Sequence, residues 1–103
     1  MNWELFFIML FESFEKFLFE QHTIRKRVIC LYLAGIEDHL GMVDPENGKD
    51  RSFLEDFVHY ANIFLEGIEE SNLPEFKKEV LAYLIDVKSQ AERLLEGQER
   101  GAL

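Results

Sequence analysis

Acidic side chains dominate the chemistry open to this sequence. Twenty of its 103 residues are Asp or Glu, against eleven Lys and Arg, for a net charge of −9. Carboxylates at helical spacing can hold divalent cations, and helical bundles build such sites from inward-facing acids with Glu-x-x-His pairs. The nearest approach is Asp56-x-x-His59, which occurs once. Both residues fall on the polar arc of their segment, so the spacing predicts a solvated face rather than a metal site. Cys30 is the only cysteine. It can form neither a disulfide within the chain nor a Cys-based zinc site. It lies in the uncharged run from Val28 to Ile36, eight residues from His22, and is expected to be a small buried apolar residue rather than a reactive thiol. The sequence holds no Gly-rich phosphate loop and no nucleophile elbow. No catalytic residue, cofactor or metal is expected.

Glu66-x-x-Glu69 with Glu70 resembles half of the pattern of the all-α nucleotide pyrophosphohydrolases, the MazG-like group. In that group, paired acids on one helix and Glu-x-x-Asp on the next hold magnesium against a triphosphate. The resemblance implies a magnesium-dependent nucleotide hydrolase using Glu66, Glu69, Glu70 and Glu79. The second half departs from the pattern: Glu79 and Asp86 stand seven apart, and Tyr83 occupies the place three before Asp86. His22-Thr23-Ile24-Arg25 resembles the His-plus-basic motif of histidine phosphotransfer domains, with Lys26 standing where that motif needs a small Gly. Asp44-x-Glu46-x-Gly48-Lys49-Asp50 is similar to a calcium loop, with Glu55 twelfth from Asp44. Pro45 and the displaced Gly break the EF-hand order, and Glu55 is better used in a helix cap.

Charge narrows the partners. Residues 1–43 carry six acids and four bases, and residues 44–103 carry fourteen and seven. Nucleic-acid binding needs clustered Lys and Arg that release counterions. Arg25, Lys26 and Arg27 are consecutive, so on a helix they point in three directions and form no stripe. The apolar run Leu5 to Phe11 has no basic residues before it and Glu4 beside it, which argues against a signal peptide. It is too short to span a bilayer, and its polar neighbours are mostly Glu rather than the Lys and Arg of a membrane-surface helix. A cytoplasmic protein that binds neither nucleic acid nor membrane is expected.

Four helical segments position these residues. The first, Asn2 to Gln21, places Trp3, Phe6, Phe7, Leu10, Phe11, Phe14, Phe17 and Leu18 on one face. The second, Thr23 to Leu40, has Thr23 as N-cap and Gly41 as stop. Its middle is apolar all round, which predicts a central helix; a buried strand fits those nine residues less well, because no partner strand is visible. The third, Ser52 to Glu70, opens with a capping box, Ser52-x-x-Glu55, and has Ile63 as the lone apolar residue of its polar face. The fourth, Pro74 to Glu96, is expected to bury Phe76, Val80, Tyr83, Leu84, Val87, Ala91, Leu94 and Leu95, with Gly97 as its end. Short turns between such helices predict an all-α, antiparallel four-helix bundle over residues 1–97, with 98–103 as a polar tail.

The first helix carries more apolar residues than one face can use. Leu5, Ile8 and Met9 fall in its Glu-bearing half, and Phe19 points close to Ile8. Contiguous exposed apolar surface marks contact sites, and the commonest contact for a small chain is a two-fold homodimer. The sequence therefore predicts a non-enzymatic protein working through protein–protein contact, foremost self-association, with Leu5, Ile8, Met9 and Phe19 at the interface. The alternatives are the magnesium-dependent hydrolase above and an acidic inhibitor or decoy, in which Glu55, Glu66, Glu69 and Glu70 engage a basic protein surface.

Overall fold

Phenylalanine spacing builds the first helix around the core. The computed structural model describes residues 2–19 and 25–97. Helix α1 spans Trp3–Phe19 and buries Phe7, Leu10, Phe11, Phe14, Phe17 and Leu18, the expected face. The Asn2 side chain accepts the Leu5 N–H at 3.2 Å, supplying one partner for the free donors of the first turn. Helix α2 spans Lys26–Leu40, α3 Gly48–Glu66 and α4 Glu75–Glu96, with one 3-10 turn, Glu70–Asn72, between the last two. The described residues are all helix and connection, with no strand. No described helix is long and apolar enough to cross a membrane. The first helix's expected end at Gln21, His22, Thr23 and the tail 98–103 lie outside the described residues, but α2 starts at Lys26 with Arg25 as its N-cap, two residues past the expected Thr23 cap.

Helix α1 packs on α2 and α3, and α4 packs on the same two. Trp3 lies 4.8 Å from His39 and Phe6 lies 5.4 Å from Tyr32, so α1 and α2 run in opposite senses. Trp3 meets Phe53, Phe7 meets Phe57 and Phe11 meets Phe64, so α1 and α3 run in the same sense. Lys26 pairs with Glu79 while Glu37 takes Gln90, so α2 and α4 also run together. The molecule is thus two helical hairpins, α1–α2 and α3–α4, laid side by side in one orientation. The 41–47 connection runs between helices that are not lateral neighbours. A rule that makes every neighbour antiparallel describes the consecutive helices and not the lateral pairs.

The core is apolar throughout. Phe7, Phe14, Phe57, Ile29, Leu33, Leu54, Leu81 and Leu84 are fully buried, and no polar or charged side chain among the described residues is. Each such side chain contributes about 1.5–3 kcal/mol on leaving water. Polar side chains at the margin fix the helices against one another. Lys77 Nζ donates to the Leu18 carbonyl at 2.8 Å, so the first turn of α4 satisfies an open carbonyl in the last turn of α1. Tyr83 Oη donates to Glu37 at 3.0 Å and Gln90 Nε2 to the other oxygen of that carboxylate at 2.9 Å, joining α4 to α2. Lys88 donates to Asn62 at 2.8 Å, joining α4 to α3.

Three expectations are corrected. Helix α3 starts at Gly48, not Ser52. Asn47 caps it, its Oδ1 accepting the N–H of Lys49 at 3.0 Å and of Asp50 at 3.2 Å. Ser52 is therefore inside the helix, and Glu55 faces Arg51 at 3.9 Å one turn back. Helix α3 also ends at Glu66 with Gly67 as its cap, four residues before the expected stop. Phe76, expected in the core, is half exposed: it lies at the edge of the arc that Val80, Leu84, Val87 and Ala91 bury, and meets Phe17 edge-on with ring centroids 6.1 Å apart. Helix α4 does end at Gly97, whose φ of +72° lies in the left-handed region that favours glycine.

Candidate interaction surface

The acids singled out by spacing do not converge. Glu66 is the last residue of α3, whereas Glu69 and Glu70 lie beyond it, so Glu66-x-x-Glu69 is not a helical pair. Glu69 accepts the Asn72 amide at 3.0 Å, and Glu79 is held by Lys26 at 2.9 Å. Asp56 and His59 are both exposed, as expected. In the 41–47 connection, Asp44 Oδ1 accepts the Glu46 N–H at 3.0 Å and Asp50 Oδ2 accepts the Asp44 N–H at 2.9 Å. Those carboxylates tie the turn to itself, and Glu55 is a turn further along α3. Among the described residues no group of three or more His, Cys, Asp or Glu could hold a metal ion.

Among the described residues one ionisable side chain has a large shift, and its role is structural. Burial, and the bond from its hydroxyl to Glu37, push the Tyr83 phenol up to about 12. Cys30, expected to be buried, is half-buried beside this pair. His39 stacks between Trp3 and Phe53, with ring centroids 4.8 and 4.7 Å away, and is a packing residue.

Apolar side chains exposed on the surface are the more distinctive feature. Leu5 (53% exposed), Ile8, Met9 (48%) and Phe19 are all exposed on α1. The second helix is not central, as its all-round apolar character predicted. It buries Ile29, Leu33, Ile36 and Leu40 and leaves Val28 and Leu31 exposed, Leu31 at 64%. Ile63 of α3 is likewise exposed.

These residues divide between two grooves flanking α1. The first, of about 300 Å³, lies between α1 and α2 and is lined by Phe6, Val28, Leu31, Tyr32 and Gly35, with no charged residue. A side chain added at Gly35 would meet nothing within 4 Å, so the glycine widens this opening. Met9 lies about 60° round the helix from Phe6, and Leu5 about 100° in the same direction. Three residues on from Phe6, opposite Tyr32, Met9 comes level with Val28 and Ile29 across the hairpin. The second groove, of about 500 Å³, lies between α1 and α3. Ile8, Phe19, Ile63 and Ile68 line it, with Phe11 and Phe64 below, and Glu12 and Glu15 stand on its α1 wall. Of the four α1 residues picked from sequence, Ile8 and Phe19 thus face the α3 groove, Met9 leans to the α2 side and Leu5 points outward between them. Val28 and Leu31 were signalled by the apolar girdle of α2, and Ile63 by its place as the odd residue of a polar face.

No family model, curated protein or solved structure matches the chain.

Proposed function

We propose that this protein acts through protein–protein contact rather than catalysis, and that its first partner is a second copy of itself. The observation that supports this reading is the uncharged α1–α2 groove, lined by Phe6, Val28 and Leu31, with exposed Met9 next to Phe6 on α1. In a chain of charge −9, two copies repel wherever their surfaces carry acids, so they meet best where none stands. Apolar patches of this kind on small chains are contact sites, and a two-fold axis brings one patch onto its own copy. Met9 then faces its symmetry mate with Leu5 beside it, while Ile8 and Phe19, which line the α3 groove, stay outside this contact. The test is the solution mass by light scattering over a dilution series. A mass near 24 kDa, twice the 12.2 kDa of one chain, that falls on dilution supports the reading. A mass of one chain at all concentrations up to about 1 mM, where association would be weaker than about 4 kcal/mol, overturns it.

A further inference from the structure

The α1–α3 groove differs from the α1–α2 groove in the charge around it, and that difference selects its occupant. Its floor is apolar, with Ile8, Phe19 and Ile63 open to solvent. Glu12 and Glu15 stand on its wall, and no Lys or Arg lines it. Toward the other end, Tyr60 Oη donates to Glu4 at 3.4 Å. Tyr60 lines the groove, so Glu4 brings a third carboxylate to that end. No ion pair between described residues engages Glu12 or Glu15. A second copy would bring further acids against these three. The self-contact proposed above therefore does not extend here, and the present inference does not depend on it.

We propose that this groove binds a basic amphipathic helix of another protein. From Ile8 to Phe19 the wall runs eleven residues, about 16 Å at 1.5 Å each, the length of three helical turns. Two helices running in the same sense form the walls, and an apolar stripe at i, i+3, i+4 and i+7 seats between them. Lys and Arg beside that stripe meet Glu12, Glu15 and Glu4, which gives the complex its charge-steered on-rate and its salt dependence.

The probe is a fluorescein-labelled leucine–lysine peptide with that apolar spacing, read by fluorescence anisotropy; its control is the same peptide with Glu for Lys. The basic peptide is expected to bind and the acidic one not. Ile63→Ser and Phe19→Ser, both at exposed positions, should each weaken binding about five- to ten-fold. Glu12→Gln with Glu15→Gln should weaken it several-fold at low salt and much less in about 0.5 M salt. Glu75→Gln with Glu96→Gln, at the two ends of α4, should leave it unchanged. Equal binding of both peptides overturns the proposal, as does a loss with the α4 pair as large as with the α1 pair. Insensitivity to both Ile63→Ser and Phe19→Ser overturns it too. So does a fall in the protein's own mass on those two substitutions, which would make the occupant a second copy.

Discussion

Replacing Leu5 and Met9 together by glutamate should dissociate the self-complex without unfolding the chain. The magnitude follows from exposure. Leu5 is 53% and Met9 48% exposed in a single copy, so about half of each side chain is left for a partner to cover. Complete burial of such a side chain is worth about 1.5–3 kcal/mol, so half is worth about 1. Two residues on each of two copies give about 4 kcal/mol, or about three decades in Kd at 1.4 kcal/mol per decade. Four buried carboxylates facing one another add to that loss. Within one copy about half of each side chain is already covered, so thermal stability at dilutions where the wild type is monomeric should fall by about 2 kcal/mol or less, with the fold retained. Light scattering over a concentration series, with circular dichroism of the same samples, reads both quantities. An unchanged mass refutes the assignment of the contact. A loss of mass accompanied by a loss of helix refutes the argument from exposure, because the two positions would then be structural.

Other perturbations test the fold that carries the surface. Asn47→Ala should cost about 1 kcal/mol in urea denaturation by removing the α3 cap, while Ser52→Ala changes stability by about 0.5 kcal/mol or less; the reverse order would restore the Ser52 box. Phe7→Ala empties a fully buried site among Trp3, Phe53 and Phe57 and should cost about 3–5 kcal/mol. Phe76→Ala, at a half-exposed position, should cost about 1 kcal/mol or less in the same assay. The Tyr83 phenol titrates near 10 in the unfolded chain and is pushed up to about 12 in the fold, so the unfolded state loses its proton first as pH rises. Its contribution is therefore intact below pH 10 and declines between pH 10 and 12. Melting temperatures across that window should fall more steeply for the wild type than for Tyr83→Phe; parallel curves would remove the Glu37 bond from the account.

The helices were legible because Phe7, Leu10, Phe14 and Phe17 recur at the spacing of one helix face, and Gly97 marks an end that only a left-handed residue makes cheaply. The start of α3 was misread for a local reason. Asn47-Gly48 is a turn dipeptide and Ser52-x-x-Glu55 a cap pattern, yet an asparagine in a turn is also an N-cap, and the earlier cap gains another turn of helix. Phe76 was misplaced because it stands at the edge of the arc that Val80, Leu84, Val87 and Ala91 bury, and periodicity does not say how far round that arc the cover extends. The division of the surface into a neutral and an acidic groove depends on α1 lying between α2 and α3. That placement rests on ring contacts between residues about fifty positions apart, such as Trp3 with Phe53, which no local pattern encodes.

The equal orientation of the two hairpins gives the molecule a stack-like build with two unlike end plates. One plate, α1–α2, holds an uncharged apolar groove; the other sets exposed Glu55, His59 and Glu66 around Ile63 on α3, with Ile85 exposed on α4. A building block with two sticky plates adds units without limit, as helical-repeat arrays do, until a polar terminator intervenes. Under the proposed self-contact the two α1–α2 plates cover each other, and the Glu-bearing plates left outside repel a third unit.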